Sequence, residues 1–373
     1  MKKFDKDRLL LAVAGPALAL VSAFVLTSVV LLASGLSPFK LMSLMFDQAA
    51  YSDVQVLIIN QTGTYYLAAL AVAIGFRMNL FNIGVDGQYR LGVMIAAVVG
   101  AAVDLPGPLH ILLIVLTAMV VGALWAGIAG VLKTTRGVSE VVSTIMLNAI
   151  ATAVIAWLIL PKNLGVQPEG SNDLTTGDIA ESGWMPGIPM GDGGEIYGFT
   201  FVALALGVVY WFVLNRTRFG FDLRATGASE SAAKASGVDA KRMILTAMLI
   251  SGAVAGLIGL PTLLGDTHTY SLSFPVGLGF MGITIALLGR NNPIGIAFAA
   301  LLMAFLDKAS SSLDQDGYPK EIAQIIQGLI VIAVVVSYEL VRVYGTRRQQ
   351  QKVGEELAAG GALTTDKDKE VAA

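Results

Sequence analysis

Long apolar runs separated by short polar stretches fill most of the chain. Leu9–Ala33, Val54–Phe76, Leu109–Leu132, Val138–Leu160, Gly198–Leu214, Met243–Leu264 and Ile322–Val341 approach or exceed the length of a membrane-crossing helix, about 18 residues or more. Leu91–Val103, Val276–Leu288 and Pro293–Leu306 are shorter. At about 1.5 Å per residue, the first of these covers roughly 20 Å of a hydrocarbon core of about 30 Å. The pattern predicts an all-α polytopic membrane protein of about ten transmembrane helices, some short or discontinuous. Ser37–Asp53, with Pro38, Phe39, Met42, Leu44, Met45 and Phe46, reads as an interfacial amphipathic segment.

The chain is organised around Gly75–Gly92, a polar stretch held between two apolar runs. The run after it is too short to span, so part of the stretch is expected at membrane depth. Polar or irregular backbone persists there only when buried in protein or lining a watery cavity. Asn79, Asn82 and Gln88 can satisfy freed backbone groups, and an intramembrane carboxylate such as Asp86 marks a functional position. The competing reading is a loop whose asparagines only cap helices. Ser139 and Glu140 read as the cap and first-turn acid of the fifth span. Asn148 lies deeper in that span, either bonding a neighbouring helix or lining a pore. Gly289-Arg-Asn-Asn-Pro293 echoes Gly75-Phe-Arg-Met-Asn79. Each follows an inward-running span and adjoins a shortened one, an arrangement that points to a transport site in transporters built from two halves. The candidate pathway residues are therefore Asn79, Asn82, Asp86, Gln88, Glu140, Asn148, Arg290 and Asn291. Gly122, Ala126 and Gly130, and Gly252 with Gly256, have the four-residue spacing that lets helix backbones approach in lipid.

Only 14% of the 373 residues are charged, against about 25% in soluble proteins. A net charge of −2 gives no sign of nucleic-acid binding. The chain has no cysteine, hence no disulfide, thiolate metal site or thiol nucleophile. Two histidines, His110 and His268, leave little for zinc; His268 is read as a surface residue. No P-loop occurs. Lys2, Lys3, Lys6 and Arg8 hold residues 1–8 in the cytoplasm, and residues 9–341 form the transmembrane domain. The 161–197 loop, with Lys162 as its single base, is placed outside; the basic 215–242 loop is placed inside. Both termini are thus cytoplasmic, and the polar tail 342–373 is read as disordered. Within 215–242, Ser229–Ser236 reads as a short Ala-rich helix capped by Ser229 and ended by Gly237. Such a helix suits docking to a partner.

Four strings carry a family resemblance. Phe81-Asn-Ile-Gly-Val-Asp-Gly-Gln88 resembles a signature of membrane permeases of ATP-binding-cassette importers for nucleosides and simple sugars, with Asp86 where Glu is expected. Gly137–Asn148 looks like the same family's stretch at its fifth span, and Phe219–Gly237 is similar to its cytoplasmic coupling loop. Gly279–Gly295 matches its late signature, and the order holds over Val54–Val341. The resemblance implies a type II ABC-importer-like permease in a bacterial cytoplasmic membrane, a transport subunit rather than an enzyme, forming the pathway for nucleosides. It further implies a related but distinct second permease, an extracellular substrate-binding lipoprotein, and a cassette ATPase that carries ATP and Mg, with no cofactor in this chain. The ATPase would dock on Ser229, Glu230, Ala232, Ala233 and Gly237. A simple-sugar permease is the alternative. An ion-coupled carrier fits less well, because the charges cluster near cytoplasmic ends. An intramembrane enzyme fits less well too, because no second acid shares a helix with Asp86 or Glu140.

Overall fold

The computed structural model describes residues 6–311 and, with interruptions, 313–351. The residues before Lys6 and 352–373 lie outside the described residues; of the 342–373 tail expected to be disordered, the residues described between 343 and 351 are helical. Two compact bodies result, one of residues 43–316 and the other of the flanking segments. In the flanking body, α1 (Lys6–Ala33) runs unbroken through Pro16. There the Ser22 and Ser337 hydroxyls lie 3.0 Å apart, and the Tyr318 hydroxyl donates to Ser37 O at 3.3 Å. The amphipathic segment forms α2 (Pro38–Ala49), with Leu41 and Met45 buried and Phe39 and Phe46 exposed.

The larger body is built around α3 (Ser52–Phe76), whose apolar window is 78% buried. Around it pack α7 (Gly198–Arg216), α10 (Ala240–Gly256), α12 (Leu278–Leu288) and α13 (Pro293–Ala309). The 17-residue α4 (Val85–Ala101) lies against α5 (Gly107–Arg136), α6 (Glu140–Leu158) and α10. Windows of α5 and α6 are only 28% buried, so their outward Leu, Ile and Val side chains meet the surroundings, as lipid-facing helices do. The small-residue spacing acts as expected. A Cβ added at Gly122 or Gly252 would strike the facing helix's backbone, so α5 and α10 pack at backbone distance.

Among the described residues, six stretches are long and apolar enough to cross a membrane: Ser52–Phe76, Gly107–Arg136, Glu140–Leu158, Gly198–Arg216, Ala240–Thr267 and Gln324–Gly345. About ten helices is not confirmed, since α4, α12 and α13 reach only 17, 11 and 17 residues. α13 also runs to Ala309, shortening the loop expected from Asp307.

Two further differences concern loops. The polar 215–242 segment holds two helices rather than one, α8 (Arg218–Ala228) and α9 (Glu230–Ala235). The 161–197 loop includes a small hairpin, β1 (Ile188–Pro189) with β2 (Glu195–Ile196), and is pinned down by backbone bonds. Thr176 N donates to Tyr270 O, Ile179 N to His268 O and Met185 N to Leu264 O, each at 2.9 Å. His268, read as a surface residue, is half-buried and stacks on Trp184 at 3.8 Å between ring centroids.

Candidate functional site

The organising stretch begins where α3 ends. Asn79 takes a left-handed φ of 57°, Leu80 N donates to Gly75 O at 3.0 Å, and Asn79 N donates to Phe76 O at 3.1 Å. This pair of bonds closes the helix as a Schellman turn, with Asn in the position that tolerates positive φ. A Cβ on Gly75 would meet Leu80 O at 2.9 Å, which explains a glycine there.

α4 then starts at Val85, six residues before the predicted apolar run, so Asp86, Gln88 and Arg90 lie inside a buried helix. Asn82 and Gln88 join amide to amide, Nδ2 to Oε1 at 2.9 Å and Nε2 to Oδ1 at 2.8 Å. Asn82 Nδ2 also donates to Ser251 Oγ at 2.9 Å, and Ser251 donates to Ala71 O at 2.7 Å. With 1% and 0% exposure, these amides tie α4 to α10 and α3. Asn148 accepts from Gly87 N and donates to Ile83 O, both at 2.8 Å, so it binds the neighbouring helix.

Asp86 does a different job. Helix α12 begins at Gly277, in a left-handed conformation with no side chain of its own to cap it. Asp86 Oδ1 accepts from Gly277 N at 2.8 Å and Gly279 N at 3.4 Å, supplying the cap and a negative charge at the positive end of the helix dipole. One turn on, Arg90 is 9% exposed and donates through Nη1 to Thr152 Oγ1 of α6 at 3.1 Å. The sequence reading passed over Arg90; its i,i+4 spacing from Asp86 in an apolar segment was the available signal.

Glu140 meets the lead-in to α4 at the Phe81 backbone, next to Asn82. Lys133 Nζ reaches its Oε2 at 2.6 Å across the turn at Gly137, whose φ is 68°. Ser139 occupies the expected cap position, yet its side chain makes no capping bond.

Arg290 and Asn291 both have φ of 55°, with Arg290 N donating to Leu287 O at 3.0 Å and Asn291 N to Ala286 O at 2.8 Å. These are the bonds seen at 75–80, with Ala286 in the place of Gly75 and Arg290 in that of Asn79, so the two turns share a closure although the sequence echo, which pairs Gly75 with Gly289, is three residues out of register with it. The two turns also touch. Arg77 donates through Nε at 3.2 Å and Nη2 at 2.7 Å to Asn291 O, and the Tyr210 hydroxyl joins the same oxygen at 3.0 Å.

The proposed docking residues fall on α9. Ser229 Oγ accepts from Ala232 N at 3.3 Å, and Gly237, at φ 83°, ends the helix, with Val238 N donating to Ala233 O at 3.0 Å. Glu230 and Lys234 form an exposed pair at 4.0 Å. Ala232 is exposed, but Ala233 is only 2% exposed and points into its own chain, which takes it out of any docking face. A cavity of about 650 Å³ lies between the Met78–Leu80 turn, Lys133–Thr135 and the α8–α9 junction.

Residues 55–335 match the family model described as the branched-chain amino acid transport system permease component. The guanosine ABC transporter permease protein NupP of Bacillus subtilis is 35% identical over 347 residues, covering 90% of this chain and 96% of that protein. The nucleoside ABC transporter permease protein NupB of Lactococcus lactis is 31% identical over 87% of this chain and 90% of its own. The glucose ABC transporter permease protein TsgB13 of Haloferax volcanii is 30% identical over 88% of each. These relatives are named as transporter permeases, not enzymes, and the residues that the family model matches, 55–335, take in the α4 cluster and both turns. The chain belongs to the permease-component family of branched-chain amino acid transport systems.

Proposed function

We propose that the chain is the permease subunit of an ATP-binding-cassette importer that carries nucleosides across a bacterial cytoplasmic membrane. One observation carries this reading: near full-length similarity to permeases named for guanosine and nucleosides, at 35% and 31% identity. Two organisms each supply two such relatives, NupP with NupQ and NupB with NupC, which supports a distinct second permease as partner. A separate cassette ATPase holds ATP and Mg, and an extracellular lipoprotein delivers substrate. In this reading α1, α4, α12 and α13 cross together with the six long stretches, ten crossings with both termini cytoplasmic and a type II importer topology.

In this reading Asn82, Asp86, Gln88 and Asn148 fix the wall of the pathway. Asn79, Arg290 and Asn291 form its cytoplasmic end, with Glu140 and Lys133 beside them. The ATPase docks on α9 through Ser229, Glu230, Ala232 and Gly237. A simple-sugar substrate is the second reading, favoured by the similarity to TsgB13.

The test is uptake of labelled guanosine by the whole transporter in proteoliposomes, with excess unlabelled nucleosides or glucose as competitors. ATP-dependent uptake blocked by nucleosides alone supports the proposal. Glucose uptake without guanosine uptake selects the sugar reading, and uptake that needs no ATP refutes both. Ala232→Trp is expected to lower co-purification of the ATPase while the two permeases still pair. Wild-type yield would remove α9 as the dock.

A further inference from the structure

The two echoed turns and α8 stand in series. Arg77 leaves the closed end of α3 and gives two N–H groups to Asn291 O at the closed end of α12. Asn291 lies three residues past Leu288, the last residue of α12, in the short turn that joins α12 to α13. A guanidinium suits the place better than an ammonium, because its planar fork presents two donors to one oxygen in a fixed geometry. On the other side, the same Arg77–Met78 peptide is touched by α8. A Cβ on Gly227 would lie 2.7 Å from Met78 Cα and 2.8 Å from Arg77 O. Both are backbone atoms, so the contact cannot relax by a rotamer change. A push on α8 therefore reaches the peptide that carries Arg77, and through Arg77 the end of α12. Asn291 Oδ1 beside it is buried and unpartnered.

We infer that Arg77 is a positioning residue of the transport cycle, passing movement of α8–α9 to the inner end of α12 so that α3 and α12 shift together. This rests on the reading of α8–α9 as the ATPase dock.

The experiment uses the complete transporter in proteoliposomes and reads guanosine uptake, ATP hydrolysis and ATPase co-purification separately. Arg77→Gln should lower uptake per ATP by about tenfold, the effect of losing a charge-assisted bond, and Gly227→Ala, whose Cβ would press on the Arg77–Met78 backbone, should lower it too, both with the ATPase still bound. Arg77→Lys, which keeps the charge but loses the two-donor fork, should show a clear fall that is smaller than that of Arg77→Gln. The double variant Arg77→Gln/Gly227→Ala should be no worse than the worse single, because both break one series. An unchanged ratio in Arg77→Gln, or fully multiplicative losses in the double variant, overturns the inference. Should Arg77→Gln fail to assemble, Arg77→Lys and Tyr210→Phe decide. Tyr210→Phe withdraws the other donor from Asn291 O, and a fall there equal to that of Arg77→Lys would reduce Arg77 to one of two interchangeable local supports. Failure of the docking reading shows separately, as wild-type ATPase co-purification with Ala232→Trp.

Discussion

Asp86→Ala removes the acceptor from the start of α12 and puts nothing in its place. The 2.8 Å bond from Gly277 N is the stronger of the two it receives; the 3.4 Å bond from Gly279 N is long. Hydrogen bonds to a charged group contribute about 1.5–3 kcal/mol, and an amide left buried and unpaired costs about as much again as a neutral bond is worth. A loss of about 3 kcal/mol follows, more than a hundredfold in the folded-to-unfolded ratio. Asp86→Asn keeps an oxygen at the same reach and gives up only the charge, so about 1 kcal/mol is expected. Asp86→Glu restores the charge but adds a methylene where α12 lies against α4 backbone to backbone: a Cβ on Gly279 would stand 2.5 Å from Asp86 N. Overpacking of that kind costs about 1–3 kcal/mol, so Glu should retain uptake at reduced stability. The assay is the midpoint of heat-induced loss of the monodisperse peak for the purified complex, with uptake alongside. The expected order is Asp86, then Asn and Glu, then Ala. An alanine variant as stable as wild type, transporting normally, would show that α12 needs no acceptor from α4.

Asn148→Ala should cost about 1–3 kcal/mol by the same assay, because it takes away the partner of both Gly87 N–H and Ile83 C=O. Gly252→Val should abolish recovery of folded protein, whereas Gly237→Ala should cost about 1 kcal/mol or more through its positive φ alone, since nothing lies near its Cβ position. Burial holds the His268 imidazole below its ordinary pKa, against the opposing pull of Asp266. Its stabilisation is therefore complete above about pH 6.5 and lost as pH falls through the lower folded value. The Trp184 contribution to fluorescence, taken as the difference from Trp184→Phe, should change on acidification and become pH-independent in His268→Phe.

What the sequence displayed was length and spacing. Apolar length located the long helices, and small residues at four-residue spacing located the α5–α10 contact, because each signal is local to one helix. The start of α4 was not legible. A run of apolar residues begins at Leu91, yet the helix begins at Val85 because Asn82, Asn148, Ser251 and the α12 amides satisfy its polar residues from elsewhere in the chain. Cap chemistry was legible as grammar and not as use: Ser229 and Asn292 cap their helices, while Ser139 in the same kind of position does not. α8 escaped notice because Gly220 and Gly227 read as loop, although both are glycine for close packing against backbone. Which face of α9 is buried depends on the body beneath it, so Ala232 and Ala233 looked equivalent until that body was seen.

The polar residues of α4 follow a rule that apolar packing alone would not impose. In lipid, helices gain little from burying apolar surface against one another, so register must come from close packing and from hydrogen bonds. Along α4 and its lead-in, successive polar groups are each committed to a different neighbour. Asn82 binds α10 through Ser251, Gly87 N–H and Arg90 bind α6, and Asp86 binds α12. A sliding or rotation of α4 would break several of these bonds at once, each worth about 1 kcal/mol or more. Helices α3, α4, α6, α10 and α12 are therefore held as one block at that level. The turns at 75–80 and 286–291 are differently made. They meet through the side chains of Arg77 and Tyr210 on one main-chain oxygen, a contact that can lengthen or change partner without unfolding a helix. Movement driven from α8 reaches α12 there, through Arg77.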